Sequence, residues 1–249
     1  MDWRLIEEEA HNAQMNMAID DAIISSVSNK KSIPTIRFYR WVRNSVSISA
    51  YQDESEINID FCTKNGMELV RRMTGGGAVF HGVSDFTYSL AAPIQIFRGS
   101  IRNAYSEICR WIIKALNDIG INAMLKNKND IVAENKKISG NAAKKIGNVY
   151  FQHGTLAYCI DCKLMINSLN MPKKLAKENA TCVSDCINIS REEVYKKLKS
   201  NFIQNKKINT DRISGHEMLR ATDLAKNKYY RIGLENTTVR KKGICFVRA

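Results

Sequence analysis

The residues best suited to chemistry lie in one stretch, Arg71-Arg72-Met73-Thr74-Gly75-Gly76-Gly77-Ala78-Val79-Phe80-His81. Three consecutive glycines remove each Cβ that would keep backbone N–H groups away from an anion, and the two arginines add fixed cationic donors. Phosphate or carboxylate is the ligand such a loop suits, although a plain tight turn is written in the same letters. Two nucleotide signatures are excluded. No Lys-Ser/Thr pair closes a P-loop, and Phe80 stands where a dinucleotide fingerprint needs its last glycine. Three downstream segments add polar groups. Asn129-Asp130-Ile131 sets an amide beside a carboxylate, able to hold magnesium or a ribose. Lys136-Lys137-Ile138-Ser139-Gly140-Asn141-Ala142 brings lysines to a glycine turn, and Gln152-His153-Gly154-Thr155 adds an imidazole. Taken singly, Asp130 reads as a solvated strand-end acid, Lys136 and Lys137 as a solvated pair, and His153 as a half-buried hydrogen-bonded residue. Their combination carries the weight.

The elements that must position these groups are legible from periodicity. Met15, Ala18, Ile19, Ala22 and Ile23 recur at helical spacing, as do Ile101, Ala104, Tyr105, Ile108, Ile112, Ala115, Leu116 and Ile119 before Gly120, a natural left-handed stop. Between them the period falls to two: Ile36/Phe38, Val46/Ile48/Ala50 and Phe86/Tyr88/Leu90 predict half-buried strands. Short strands are expected near 121–125, 130–133, 137–139 and 149–158. In the last third, Ser190 with Glu193 and Ser214 with Glu217 fit capping boxes ahead of helices. The polar stretch Lys173 to Asn179 is the candidate hinge. The fold class is α/β (α+β), a mixed sheet flanked by helices.

The chain's 249 residues, 44% hydrophobic and 25% charged, suit a globular core rather than a disordered or fibrous chain. The net charge of +13 implies an anionic partner and is unevenly spread. Residues 1–60 carry 6 basic and 10 acidic side chains, residues 61–135 carry 9 and 6, and residues 136–249 carry 23 and 9. No aromatic-basic motif of a nucleic-acid module accompanies the lysines, so a basic nucleic-acid-binding protein is the weakest reading. The N-terminus lacks a signal-peptide pattern and no apolar run would span a bilayer, so a cytoplasmic protein without a membrane partner is expected. The seven cysteines, scattered from Cys62 to Cys245, read as reduced thiols. Cys159/Cys162 and Cys182/Cys186 have the spacing of a zinc site, but Cys159 is expected on an alternating strand, where a small buried thiol is ordinary.

In its order of motifs, RRMTGGGAVFH, NDI, KKISGNA and QHGT, the chain resembles the catalytic domain of the lipoate-protein ligase A family, within the biotin/lipoate ligase superfamily, over residues 3–170. The resemblance implies an enzyme that activates lipoate with ATP and Mg²⁺ to lipoyl-AMP. It then passes the lipoyl group to a lysine of an acidic lipoyl carrier domain, either an E2 subunit or the glycine cleavage H protein. It implies that Lys137 is catalytic, contacting lipoate and the α-phosphate. Arg72, Gly75, Gly76, Gly77, Ala78, Val79, Phe80, His81, Asn129, Asp130, Gly140 and His153 would line the ATP and lipoyl-AMP site, with Asp130 as the Mg²⁺ ligand. Val79, Phe86 and Tyr88 are candidates for the acyl slot, with strand core the readier role for the last two.

Two departures matter. The family often continues His-Asp-x-Gly-Asn where this chain reads His81-Gly82-Val83-Ser84-Asp85, so an acid and an amide are missing. The His-Gly pair is also similar to octanoyl transferases, which work through a cysteine thioester. The segment where those enzymes place the cysteine reads Leu125-Lys126-Asn127-Lys128-Asn129-Asp130, which favours the ligase over an octanoyl or lipoyl transferase. The chain also stops soon after its expected last helix. It therefore resembles the large catalytic subunit of a bipartite ligase: one domain over 1–249, helical from about 187, with no separate accessory domain and a small partner protein. A monomer is the default, because docking a carrier lysine needs an open face.

Overall fold

In the computed structural model, residues 1–126, 129–172, 174, 179–230 and 232 are described. The candidate hinge at Lys173 to Asn179 falls largely outside them. Eight strands form the main sheet: β1 (Asp2–His11), β2 (Thr35–Trp41), β6 (Phe86–Pro93), β7 (Ala123–Lys126), β8 (Asp130–Ala133), β9 (Lys136–Ile146), β10 (Val149–Leu156) and β11 (Lys207–Thr210). Their order is β11-β1-β2-β6-β10-β9-β8-β7. β1 runs parallel to both β2 and β11, and the other pairs are antiparallel, so the sheet is mixed and flanked by helices as the sequence predicts. A small second sheet, β4-β3-β5, joins β3 (Ser45–Ile48), β4 (Glu68–Arg71) and β5 (Val79–His81). The glycine loop is the link from β4 to β5.

Helices α1 (Ala13–Ser28) and α3 (Ile101–Asn117), with the short α2 (Ile59–Lys64) between them in sequence, each bury an apolar stripe in a separate core. Ile36, Phe38, Tyr88, Leu90 and Tyr150 join the α3 core, while Tyr39, Trp41, Ala91, Val149 and Phe151 join the α1 core. The central strands are therefore buried on both faces, not half-buried as their alternation predicts. The polar residues that produce the alternation, Arg37, Thr87 and Ser89, are themselves buried and hydrogen-bonded. α3 ends at Asn117, and Gly120 takes φ +88° in the turn beyond it.

Both capping boxes form, at Ser190 before the helix Arg191–Ile203 and at Ser214 before the helix Gly215–Asn227. Sequence reading missed β1 and β11. β1 carries the acidic run Glu7-Glu8-Glu9, with a register shift between Ile6 and Glu9. Glu7 on it is answered by Lys199 at 2.7 Å and by the Tyr195 hydroxyl. β11 lies within the segment expected to be helical and extends the sheet beside β1. The buried pair Arg4–Glu217, at 2.7 Å, fastens the last described helix to β1. Among the described residues, no helix is long and apolar enough to cross a membrane.

Candidate active site

The glycine loop is held from within. Arg72, only 5% exposed, donates through Nη1 to the Ser47 carbonyl at 2.9 Å and through Nη2 to the carbonyls of Gly75 and Gly77 at 2.8 and 2.7 Å. Burial lowers its pKa to about 10, so it stays cationic at neutral pH. Gly76 sits at φ +100°, where a side chain is strained, and a Cβ there would stand 3.1 Å from Arg72 Nη2. Arg71 is likewise engaged, with the carbonyls of Ser49 and Gln52 and with Glu54. The two arginines read as anion donors from their spacing thus spend most of their hydrogen bonds on the chain itself.

Two histidines complete this wall. His81 Nε2 lies 2.8 Å from Ser47 Oγ and its Nδ1 lies 3.2 Å from Thr155 Oγ1, with the Trp41 ring stacked at 4.1 Å. Burial, then the Arg72 and His153 charges, hold its pKa well below the usual value, so it is neutral. His153 Nε2 meets Thr74 Oγ1 at 2.6 Å, and its Nδ1 faces Asp20, 3.9 Å away. Asp20 is buried and ion-paired with Arg37 at 2.9 Å. Burial opposes its ionisation, but His153 and Arg37 together keep its pKa below the usual range. Burial also lowers the His153 pKa, against the pull of Asp20.

The opposite wall comes from β8 and β9. Lys137 is 45% exposed at its side chain, and its Nζ lies 2.6 Å from Asp130 Oδ1. The β8–β9 register shifts between Ile131 and Val132, and the Lys137 carbonyl accepts from Thr181 N at 2.9 Å. Gly140 explains the Lys-x-x-Gly spacing. A Cβ there would lie 3.0 Å from Lys137 Cε and 3.1 Å from Nζ, so the missing side chain is what lets the lysine lie across β9.

Two clefts meet at this lysine. The first, about 610 Å³, is bounded by Met17, Tyr39, Trp41, Arg72, Gly75, Gly76, Gly77, Ala78, Val79, His81, Asn129, Lys137, Gly140, Asn141 and His153. The second, about 850 Å³, is bounded by Ala78, Val79, Phe80, Asp85, Lys137, Ile138, Gly140, Ile160, Met165 and Met171. Ala78, Val79, Lys137, Gly140 and Thr155 belong to both. The structure thus gathers the sequence-predicted site residues around one bifurcated cavity. Phe80 lies apart from the rest of the loop, in the third core and along the second cleft only. Asp130 reaches the site through its ion pair with Lys137 and bounds neither cleft. Phe86 and Tyr88 belong to the α3 core and line neither cleft.

Sequence reasoning missed Met17, Trp41 and Asp85. Trp41 ends a strand whose partners are not adjacent in sequence, so nothing local marked it. Asp85 did carry a signal, since an acid was sought directly after His81. Here it arrives four residues on and folds back, accepting from Gly82 N at 2.8 Å and Tyr158 N at 3.0 Å. Burial pushes its pKa up to about 7.

The cysteines stand elsewhere. β10 ends at Leu156, so Cys159 is exposed beyond the strand, contrary to its expected buried strand position. Cys62, Cys109 and Cys182 are buried, and burial raises the pKa of each thiol. Neither cleft is lined by a cysteine among the described residues. No cluster of three His, Cys, Asp or Glu side chains suited to a metal occurs among the described residues.

Comparison with known proteins agrees with the geometry at the level of family. Residues 12–203 match the lipoyl protein ligase A/B catalytic domain. The octanoyltransferase LipM of Oceanobacillus iheyensis is 28% identical over 229 residues, 81% of this chain and 83% of that one. LipM of Brevibacillus brevis is 31% identical, covering 71% and 73%. Among solved structures, a lipoate-protein ligase A bound with ATP superposes with a TM-score of 0.81 at 28% identity, over 92% of this chain and 96% of that one. A bi-partite lipoate protein ligase from Thermoplasma acidophilum, studied with its E2 lipoyl domain, gives 0.76 at 26% identity, over 91% and 92%.

Proposed function

We propose that this chain, which belongs to the lipoyl protein ligase A/B catalytic domain family, joins an acyl acid of the lipoate class to ATP and passes the acyl group to a lysine of a carrier domain. The observation that carries this reading is the half-exposed Lys137 ammonium at the junction of two clefts. Such a junction suits a reaction between two anions. The acyl carboxylate attacks the α-phosphorus of ATP, a C–O–P bond forms, and pyrophosphate departs with the electron pair of the broken P–O bond. Lys137 stabilises the charge shared by the two oxygens, and the N–H groups of the glycine loop contribute fixed dipoles. The narrower cleft, walled by Met17, Trp41 and Val79 and by two neutral imidazoles, suits the aliphatic tail. The wider cleft, with Phe80, Ile138 and Met165, suits the nucleoside.

Among the described residues Asp130 is the acidic side chain paired with Lys137, and its Oδ1 is buried with no hydrogen bond of good geometry. It fits a Mg²⁺ held mainly by phosphates and water, an ion that supplies charge neutralisation on the phosphates when bound. In the second half-reaction a neutral carrier lysine attacks the acyl carbonyl, AMP leaves, and an amide forms. That step needs no protein nucleophile.

The names of the LipM relatives favour a second reading, octanoyl transfer from a carrier thioester through an enzyme cysteine. Against it stands the geometry: neither cleft is lined by a cysteine among the described residues. One experiment separates the two. The chain is incubated with lipoate or octanoate, labelled ATP and an apo carrier domain. ATP-dependent pyrophosphate release with acylated carrier supports the ligase, whereas acylation only from an acyl-carrier-protein thioester, lost on cysteine substitution, supports the transferase.

The partners follow from charge and likeness. The basic residues of 136–249 suit an acidic carrier, so the carrier KM should rise with salt while the ATP KM changes little. The bi-partite neighbour supports a small accessory subunit, tested by the gain in adenylate formation on adding one.

A further inference from the structure

A hydrogen-bond chain crosses the α3 core and ends at the active site. Tyr150 OH donates to Gln152 Oε1, Gln152 Nε2 donates to Tyr88 OH at 2.7 Å, and Tyr88 OH donates to Asn141 Oδ1 at 2.8 Å. Asn141 Nδ2 faces Ser139 Oγ at 3.3 Å and the Asn129 carbonyl at 3.5 Å. Tyr105, from α3, bridges the same two residues, its hydroxyl 3.0 Å from the Asn141 carbonyl and 3.3 Å from the Asn129 carbonyl. Because Gln152 occupies a lone pair of the Tyr88 oxygen, the Tyr88 proton goes to Asn141, which turns the amide oxygen inward and the NH₂ toward the start of β8. Gly154 leaves room for this contact, since a Cβ there would collide with Asn141 Oδ1 and stand 2.7 Å from Tyr88 Cε1. Tyr150, Gln152 and Tyr88 are buried and line neither cleft. Polar groups taken into an apolar core are costly unless fully paired, so a chain running one way to the cavity wall needs a reason.

We infer that Asn141 is a positioning residue, locked by Tyr88 and Gln152, that anchors Asn129 and Asp130 against Lys137 and so sets the adenylation geometry. The inference rests on the ligase reading. Misplacement by a fraction of an ångström in such a shell lowers the chemical step without removing substrate contacts.

The test uses Tyr88→Phe, which keeps the ring and removes the donor, and Asn141→Ala, alone and together. Each single variant should lower the kcat of acyl-AMP formation about tenfold, and for Tyr88→Phe, whose side chain lines neither cleft, the KM for the acyl acid should stay within about twofold. The double variant should be no slower than Asn141→Ala, because both act through one contact. Amide exchange in residues 129–136 should quicken in each variant without any substrate present. Additive losses, an effect on KM in place of kcat, or unchanged exchange in that segment would overturn the inference. Should Tyr88→Phe not fold, Tyr150→Phe carries the kcat and KM split and Asn141→Ala the exchange measurement. If the unaltered chain makes no acyl-AMP, the ligase reading fails, and the exchange measurement still decides whether Asn141 anchors the segment.

Discussion

The two walls of the bifurcated cavity solve different problems. On the glycine-loop wall almost every polar group is spent internally: Arg72 on three carbonyls, His81 on Ser47 and Thr155, His153 on Thr74. On the β8–β9 wall Lys137 is nearly half exposed, with Asp130 as its ion-pair partner. The first wall is a mould and the second presents a charge. A conspicuous motif therefore need not hold the reacting group. The arginines and glycines shape the cavity, while Lys137 on the opposite wall holds a half-exposed ammonium toward it.

The sharpest way to break this contrast is Lys137→Ala. On the ligase reading it removes charge stabilisation and should slow acyl-AMP formation by on the order of 10² to 10³, with the melting temperature little changed. Pyrophosphate release and a thermal melt check both halves of the statement. Arg72→Ala should do the reverse. It leaves three carbonyls without their cation and should destabilise the fold by about 3 kcal/mol in urea, with activity lost through the collapse of both binding sites. Arg72→Lys should rescue little, since an ammonium cannot reproduce the planar fork. Gly140→Ala is subtler. The new methyl displaces Lys137 and should cost about tenfold in kcat while leaving stability within about 0.5 kcal/mol, because a strand glycine gains slightly from a Cβ.

The smallest effect concerns pH. His81 and His153 have folded pKa values below the ordinary 6.5, so the unfolded chain binds more protons. The stability tied to their neutrality is complete above about pH 6.5 and is lost as pH falls below it. Asp85 works in the opposite sense, with a folded pKa of about 7 against 3.8, so its contribution declines as pH rises from about 4 to 7. Asp85→Asn should therefore steepen the fall in melting temperature on acidification, and His81→Gln should flatten it.

Much of the scaffold was legible because its signals are local. The α3 stripe and both capping boxes are each written within a few residues, whereas the glycine turn expected at Gly140 is in fact the middle of strand β9, where Gly140 pairs with Asp130 and Thr155. β1 was hidden because Glu7 looks like solvated charge until the helix Arg191–Ile203 brings Lys199 and Tyr195 to it. β11 was hidden because Lys207–Thr210 is short and polar and exists as a strand only beside β1. Within the site, residue types pointed to the glycine loop, while Lys137 and His153 stood out only through the order of motifs and the family resemblance it carries. Residue types could not show that Arg72 faces its own loop, since a guanidinium's target depends on which carbonyls the fold turns toward it. The buried strand expected at Cys159 ended early for a similar reason. β10 stops where β6 and β9, its partners in the sheet, no longer pair with it.

The forked shape of the cavity has a kinetic consequence. On the ligase reading, an acyl-adenylate spanning both clefts would be tethered at each end, so releasing one end would leave the other at high effective concentration beside its own site, and rebinding would outrun escape. The reactive intermediate would then be handed on rather than shed. Its lifetime in the absence of a carrier would be governed by water reaching the Lys137 junction, not by dissociation.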